Sequence, residues 1–131
     1  MFVDASAIIA IIAKEPDAAA LAARLGQAVH AYTSPLAVYE ATVGLARAGR
    51  MPVRAAGALL DSFLEQSKIR IVAITSETGR VAVTAFERYG RGRHPAALNM
   101  GDCFAYACAQ ALDVPLLCKG DDFPQTDISV G

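Results

Sequence analysis

The sequence predicts an α/β fold in which a mainly parallel sheet of about five strands lies between two layers of helices. Short runs of β-branched and apolar residues alternate along the chain with longer runs of helical periodicity, the pattern of strand–helix–strand units. At 131 residues the chain suits one domain, 1–131, that can bury roughly two-thirds of its unfolded surface. A hydrophobic content of 54% points to a packed core rather than disorder.

Taken in order, Met1 to Asp4 reads as a short buried strand and Ala5 to Ala13 as the helix that follows. Pro16 and Asp17 suit the first turn of a second helix, which stops near Gly26. His30 to Thr33 is a weaker strand. Ser34 can cap a helix with Pro35 in its first position, ending near Ala48 before Gly49. Met51–Pro52 opens a helix to about Lys68. Ile69 to Ile74 is the clearest strand, rich in isoleucine and valine. Thr75 and Ser76 are candidate caps for a helix to about Tyr89, and Arg91 to Pro95 is a loop. Asn99 can cap a helix to about Asp113. Pro115 to Cys118 is a short apolar strand, and Ile128 to Val130 a candidate last one. No internal repeat or linker interrupts this series.

Composition narrows the function classes. The longest apolar run, Ala5 to Ala13, is too short to span a bilayer and no basic segment precedes it, so neither a membrane anchor nor a secretory signal is expected. Cys103, Cys108 and Cys118 form an odd set without a CxxC. They read as reduced, packed thiols of a cytoplasmic protein, and His30 and His94 lack zinc-ligand spacing to them. Net charge is −1, so nothing global marks a nucleic-acid binder. Positive charge is nonetheless concentrated in Arg88, Arg91, Arg93 and His94, and in Arg47, Arg50 and Arg54. Charged residues make up only 19%, which leaves apolar surface for a partner such as a second copy of the chain. The stripe Leu59, Leu60, Phe63 and Leu64 reads as core, with a partner surface as the alternative.

The acidic residues are more informative. In an open parallel sheet, ligands gather outside the carboxyl ends of the strands. Asp4 sits where the first strand stops, Asp121 and Asp122 follow the strand ending at Cys118, and Asp102 lies in the first turn of the helix opened by Asn99. Each has an ordinary structural role open to it: Asp4 as a helix cap, Asp102 as the third residue of a capping box, Asp121–Asp122 as a turn. Glu40 shares a helical face with Leu36 and Val43, where a carboxylate is costly to desolvate unless paired or metal-bound. An ion pair with Arg47 is the competing account. If the four meet, each close pair repels by about 4 kcal/mol at a surface-like dielectric. Protons or hard divalent cations, which favour oxygen ligands, would have to neutralise them. Such ions can make water a nucleophile and stabilise a phosphoryl group in transfer.

These residues carry a family resemblance. Met-Phe-Val-Asp-Ala-Ser-Ala resembles the start of PIN domains. Ser-Pro-Leu-Ala-Val-Tyr-Glu resembles their second acidic motif, ending at Glu40. Leu-Asn-Met-Gly-Asp-Cys-Phe-Ala-Tyr-Ala resembles the third, centred on Asp102, and Leu-Leu-Cys-Lys-Gly-Asp-Asp-Phe-Pro-Gln-Thr-Asp-Ile the last motif of one large VapC subgroup. The likeness covers essentially the whole chain, and the third and fourth motifs are specific. It implies a PIN-like three-layer α/β/α sandwich and a Mg²⁺- or Mn²⁺-dependent endoribonuclease, often acting on tRNA or another structured RNA and leaving a 5′-phosphate and a 3′-hydroxyl. It implies a growth-inhibiting toxin, a homodimer bound by a cognate VapB-type antitoxin in a heterotetramer or larger assembly, with operator DNA reached only through the antitoxin.

Residue by residue, the resemblance makes Asp4, Glu40 and Asp102 catalytic metal ligands, with Asp122 the favoured fourth acid and Asp121 its alternative. Ser6 and Asn99 become the residues that orient carboxylates or water. Arg88, Arg91 and Arg93 could hold the RNA backbone, or form a solvated loop. Tyr89 and Tyr106 could stack on bases, with Tyr106 better read as packed in the fold. Three other readings compete. A receiver domain needs an acceptor Asp ending its middle strand, where this chain has Thr75, Ser76 and Glu77. A haloacid-dehalogenase-type phosphatase needs a second Asp where Ser6 stands. A PIN-like module that grips RNA or a partner without cutting has no use for an intact acidic set.

Overall fold

A computed structural model describes residues 1–131. Its elements run β1 (Phe2–Val3), α1 (Ala5–Ile12), α2 (Ala18–Gly26), β2 (Ala31–Thr33), α3 (Pro35–Ala48), α4 (Val53–Gln66), β3 (Ile69–Ile71), α5 (Ser76–Tyr89), α6 (Met100–Leu112) and β4 (Leu116–Leu117), then a short 3-10 turn, Phe123–Gln125. The four strands pair in parallel in the order β3-β2-β1-β4. In register, Phe2 lies beside Tyr32 and Leu116, and Val3 beside Leu117.

Strand periodicity sends neighbouring side chains to opposite faces, and the two shortest strands show it fully. Phe2 and Leu116 enter a core with α5 and α6, including Ala82, Ala85, Leu98, Tyr106 and Cys108. Val3 and Leu117 enter the opposite core with α1 to α4, including Ile8, Leu21, Leu60, Leu64 and Ile69. Two helical layers therefore clasp one sheet, as the sequence predicts. Leu60 and Leu64 of the apolar stripe are core, whereas Leu59 is exposed. All three cysteines are free and buried, and burial holds the Cys103 and Cys108 thiols up at about 11 and that of Cys118 at about 12. No helix is long and apolar enough to cross a membrane.

Helices with local caps begin where the sequence says. Ser34 Oγ accepts the Ala37 N–H at 3.1 Å and Pro35 occupies the first turn. Thr75 and Thr78 form a reciprocal cap for α5. Strands deviate more, because their length depends on a distant partner. The expected fifth strand, Ile128 to Val130, contributes one parallel bridge from Val130 to Leu116, so the sheet has four strands rather than about five. The expected strand to Ile74 stops at Ile71: its neighbour β2 offers only three residues to pair with, and one further bond, Val72 N–H to Thr33 O at 2.8 Å, ends the ladder. Helix α2 starts at Ala18 rather than Pro16, since the Asp17 side chain makes no capping bond and is turned instead toward Lys119.

Candidate active site

The strand order sets β1 beside β4, although β4 is last in sequence. The connection leaving β1 enters one helical layer, and the helix feeding β4 belongs to the other. Such a reversal opens a crevice at the carboxyl ends of the strands. Asp4 stands there: its N–H donates to Leu117 O at 2.9 Å, which ties the end of β1 to the end of β4.

Asp4 is only 5% exposed. It caps α1, and its Oδ2 accepts both the Ser6 N–H at 3.0 Å and the Ser6 hydroxyl at 2.6 Å. Burial drives the Asp4 carboxyl above its ordinary range, against the opposing pull of those bonds. Asp102 occupies the third position of α6 in a full capping box: Asn99 Oδ1 accepts the Asp102 N–H at 2.9 Å, and Asp102 Oδ2 accepts the Asn99 N–H at 3.0 Å. Its carboxyl is pushed up to about 6 by burial, with the charges of Asp4 and Asp122 adding and the Asn99 bond and Arg91 opposing. Glu40, on the second turn of α3, is pushed up to about 7 by burial and then by Asp4 and Asp102.

Glu40 comes close to α6 because that helix carries Gly101, where a Cβ would collide with the Glu40 carboxylate. Asp122 is exposed at the start of the 3-10 turn, and of the adjacent pair it is Asp122 whose charge reaches Asp102. Gly120, at φ +97°, makes the turn before them. The chain's ion pairs join Arg88 to Asp127 and Lys119 to Glu15 and Asp17. Glu40 therefore has no pairing with Arg47, and none of the four acids has a bridging cation. As the side chains stand, no three His, Cys, Asp or Glu are gathered tightly enough to hold a metal. The donors are all oxygen, with one carboxylate fully desolvated, and that chemistry fits a hard divalent ion better than zinc. The acids line none of the chain's deeper concavities.

Compared with known proteins, residues 1–129 match the family model for the PIN domain. A VapC ribonuclease of Rhizobium meliloti is 41% identical over 139 aligned positions, covering 97% of this chain and 98% of that protein.

The chain belongs to the PIN-domain family, among the VapC ribonucleases.

Solved structures agree on the PIN fold. The Mycobacterium tuberculosis sarcin–ricin-loop-cleaving toxin VapC20 superposes at a TM-score of 0.75 with 21% identity, over 97% of this chain and 95% of that one. A VapBC2 structure from Rickettsia felis, bound to a promoter DNA fragment, superposes at 0.70 with 16% identity, over 98% and 94%. Within this chain, the charges of Asp4 and Asp102 are felt at Glu40 and those of Asp4 and Asp122 at Asp102, while Ser6 bonds Asp4 and Asn99 bonds Asp102. The basic stretch does not stay together. Arg91 is felt at Asp102, and Arg93 lies over the Phe86 ring at 5.6 Å. Arg88 is engaged elsewhere, bonded to the Tyr89 hydroxyl at 2.8 Å and to Asp127 at 3.4 Å. Tyr89 and Tyr106 are both buried, so neither is placed to stack on a base. Sequence reasoning gave no role to Gly101 or Asp127, and weighed Lys119 only as the lysine a receiver domain would need after its last strand. A glycine inside a helix, costly by about 1 kcal/mol relative to alanine, was the available signal for the first.

Proposed function

We propose that this VapC chain is the toxin of a type II toxin–antitoxin pair and cuts RNA as a divalent-metal-dependent endoribonuclease. The observation that carries this reading is a set of carboxyls with no bridging cation: Glu40 and Asp102 are raised first by burial and further by the charge of the buried Asp4. Asp4 and Asp102 would hold Mg²⁺ or, in its place, Mn²⁺, with Glu40 and Asp122 completing the shell and Asp121 as the alternative fourth acid. When bound, the ion supplies an activated water and charge neutralisation for phosphodiester hydrolysis. Ser6 holds Asp4, and Asn99 holds Asp102, in the orientation that binding requires. Neither Arg91 nor Arg93 is ion-paired, and both could meet the RNA backbone, which makes binding salt-dependent. Arg88, ion-paired to Asp127, would have to exchange that partner for a phosphate to take the same role.

An open acidic site suits a polymer such as tRNA or another structured RNA better than a small molecule held in a pocket. The similarity to VapBC2 supports a VapB-type antitoxin as partner, with operator DNA contacted through it, and a toxin acting on translation works in the cytoplasm. The exposed apolar face of Val83, Phe86 and Met100 supports pairing with a second copy, which sedimentation of the toxin alone would detect.

The test compares the purified chain with Asp4→Asn on tRNA and ribosomal RNA, with and without Mg²⁺ or Mn²⁺. We expect ion-dependent cleavage that falls by more than roughly 100-fold in the variant, beyond the usual cost of losing only a ligand's support. Equal cleavage by both proteins would sink the assignment. RNA binding without cleavage under any divalent ion would favour a gripping module instead.

A further inference from the structure

We infer that Lys119 is a positioning residue for the acidic site: held by Glu15 and Asp17, it fixes the loop that presents Asp121 and Asp122. The inference rests on the metal-site reading above and adds a component to it. Lys119 Nζ is ion-paired to Glu15 and lies 3.9 Å from Asp17 Oδ1, both in the turn between α1 and α2. Asp17 Oδ1 is shielded from solvent and accepts no hydrogen bond, so the lysine is the cation that compensates it.

The same residue is tied to the site by its backbone. The Lys119 N–H donates to Ser6 Oγ at 3.0 Å, and the Ser6 hydroxyl donates to Asp4 Oδ2 at 2.6 Å. The far end of the loop is anchored independently. Phe123 is buried, the Tyr106 hydroxyl donates to Asp127 at 2.7 Å, and Arg88 pairs with Asp127 at 3.4 Å. Between the anchors hang Gly120, Asp121 and Asp122, all exposed. Where Asp122 stands relative to Asp102 therefore depends on the two ends. An isolated exposed ion pair contributes little to stability. Here one ammonium joins two carboxylates to a segment already bonded to Ser6, and its effect is geometric. Sites of this kind lose function when a supporting contact lets a ligand drift by about an ångström.

The experiment measures Mn²⁺ binding to the full-length chain by titration calorimetry or electron paramagnetic resonance, alongside RNA cleavage. Variants are Lys119→Met, Lys119→Arg, the pair Glu15→Gln/Asp17→Asn, and Lys119→Met in an Asp121→Asn/Asp122→Asn background. Lys119→Met and the paired variant should each weaken Mn²⁺ by about tenfold, the usual scale for a lost supporting contact. Lys119→Arg should recover most of that loss, and Lys119→Met should add little once the loop acids are gone. Unchanged Mn²⁺ affinity in Lys119→Met, even with a raised KM for RNA, would overturn the assignment in favour of direct phosphate contact. An equal loss in the background lacking the loop acids would overturn it too. Should Lys119→Met fail to fold, the paired variant decides: wild-type Mn²⁺ affinity there refutes the positioning role. Asp4→Asn separates the two layers of the argument. If it binds Mn²⁺ as well as the wild type, the metal site itself is misplaced and this inference falls with it.

Discussion

Glu40 illustrates how a single side chain records its surroundings. Its carboxyl is raised from 4.5 to about 7 by burial first and by Asp4 and Asp102 second. A folded-state value above the unfolded one means that the folded protein holds the proton more tightly. Stability linked to this group is therefore present below the unfolded value and lost as pH rises through the folded one. Asp102, raised to about 6, acts in the same direction. Without divalent ions, thermal unfolding should occur at a lower temperature at pH 8 than at pH 5.5, and Mg²⁺ or Mn²⁺ should raise the pH 8 midpoint more than the pH 5.5 midpoint. A midpoint that climbs steadily with pH in the metal-free protein would contradict the coupling. At this scale Asp4, Glu40 and Asp102 stood out as candidates because their motifs are local strings of residues, and each has a raised carboxyl in the fold. The sequence left Asp121 and Asp122 unresolved, because adjacent residues in a loop differ only in direction. It could not foresee the partner of Arg88, since Asp127 is 39 residues away.

Between elements, the decisive contact is that of α3 with α6. The two helices belong to different halves of the sequence, and Glu40 reaches the neighbourhood of Asp102 because Gly101 leaves room for it. Gly101→Ala should preserve the fold, and it removes a residue that weakens helices by about 1 kcal/mol. It should nevertheless reduce RNA cleavage by roughly ten- to 100-fold, since the displaced Glu40 is among the expected ligands. Melting and cleavage measured on the same preparation check both halves; wild-type cleavage would show that this close approach has no catalytic consequence. Element boundaries show why some of the fold was readable in advance. Helices α3 and α5 start as expected, because Ser34 and Thr75 with Thr78 cap their ends through neighbours in sequence. The strands were overestimated in length, because pairing across the sheet limits them and a run of isoleucines carries no record of how short its partner is.

Across the whole molecule, one topological fact organises the chemistry. Placing β4 beside β1 brings the first and last motifs together at one end of the sheet, and the flanking layers add α3 from one side and α6 from the other. The alternation of Phe2 with Val3 and of Leu116 with Leu117 between two cores holds that arrangement rigid at the strand ends. Truncating Leu60, 1% exposed in the core of α1 to α4, falls in the class of changes that costs about 2–5 kcal/mol. Fold class and layer order were legible from the alternation of patterns alone. Which acids lie near one another was not, since periodicity says nothing about which helix ends meet, and there the family motifs supplied the expectation that Asp4, Glu40 and Asp102 share a site. The most direct measurement is a crystal structure grown with Mn²⁺, with the ion located by its anomalous scattering. We predict a peak held by Asp4 and Asp102, with Glu40 and Asp122 drawn toward it. An ion bound elsewhere, or those carboxylates turned apart at saturating Mn²⁺, would contradict the account.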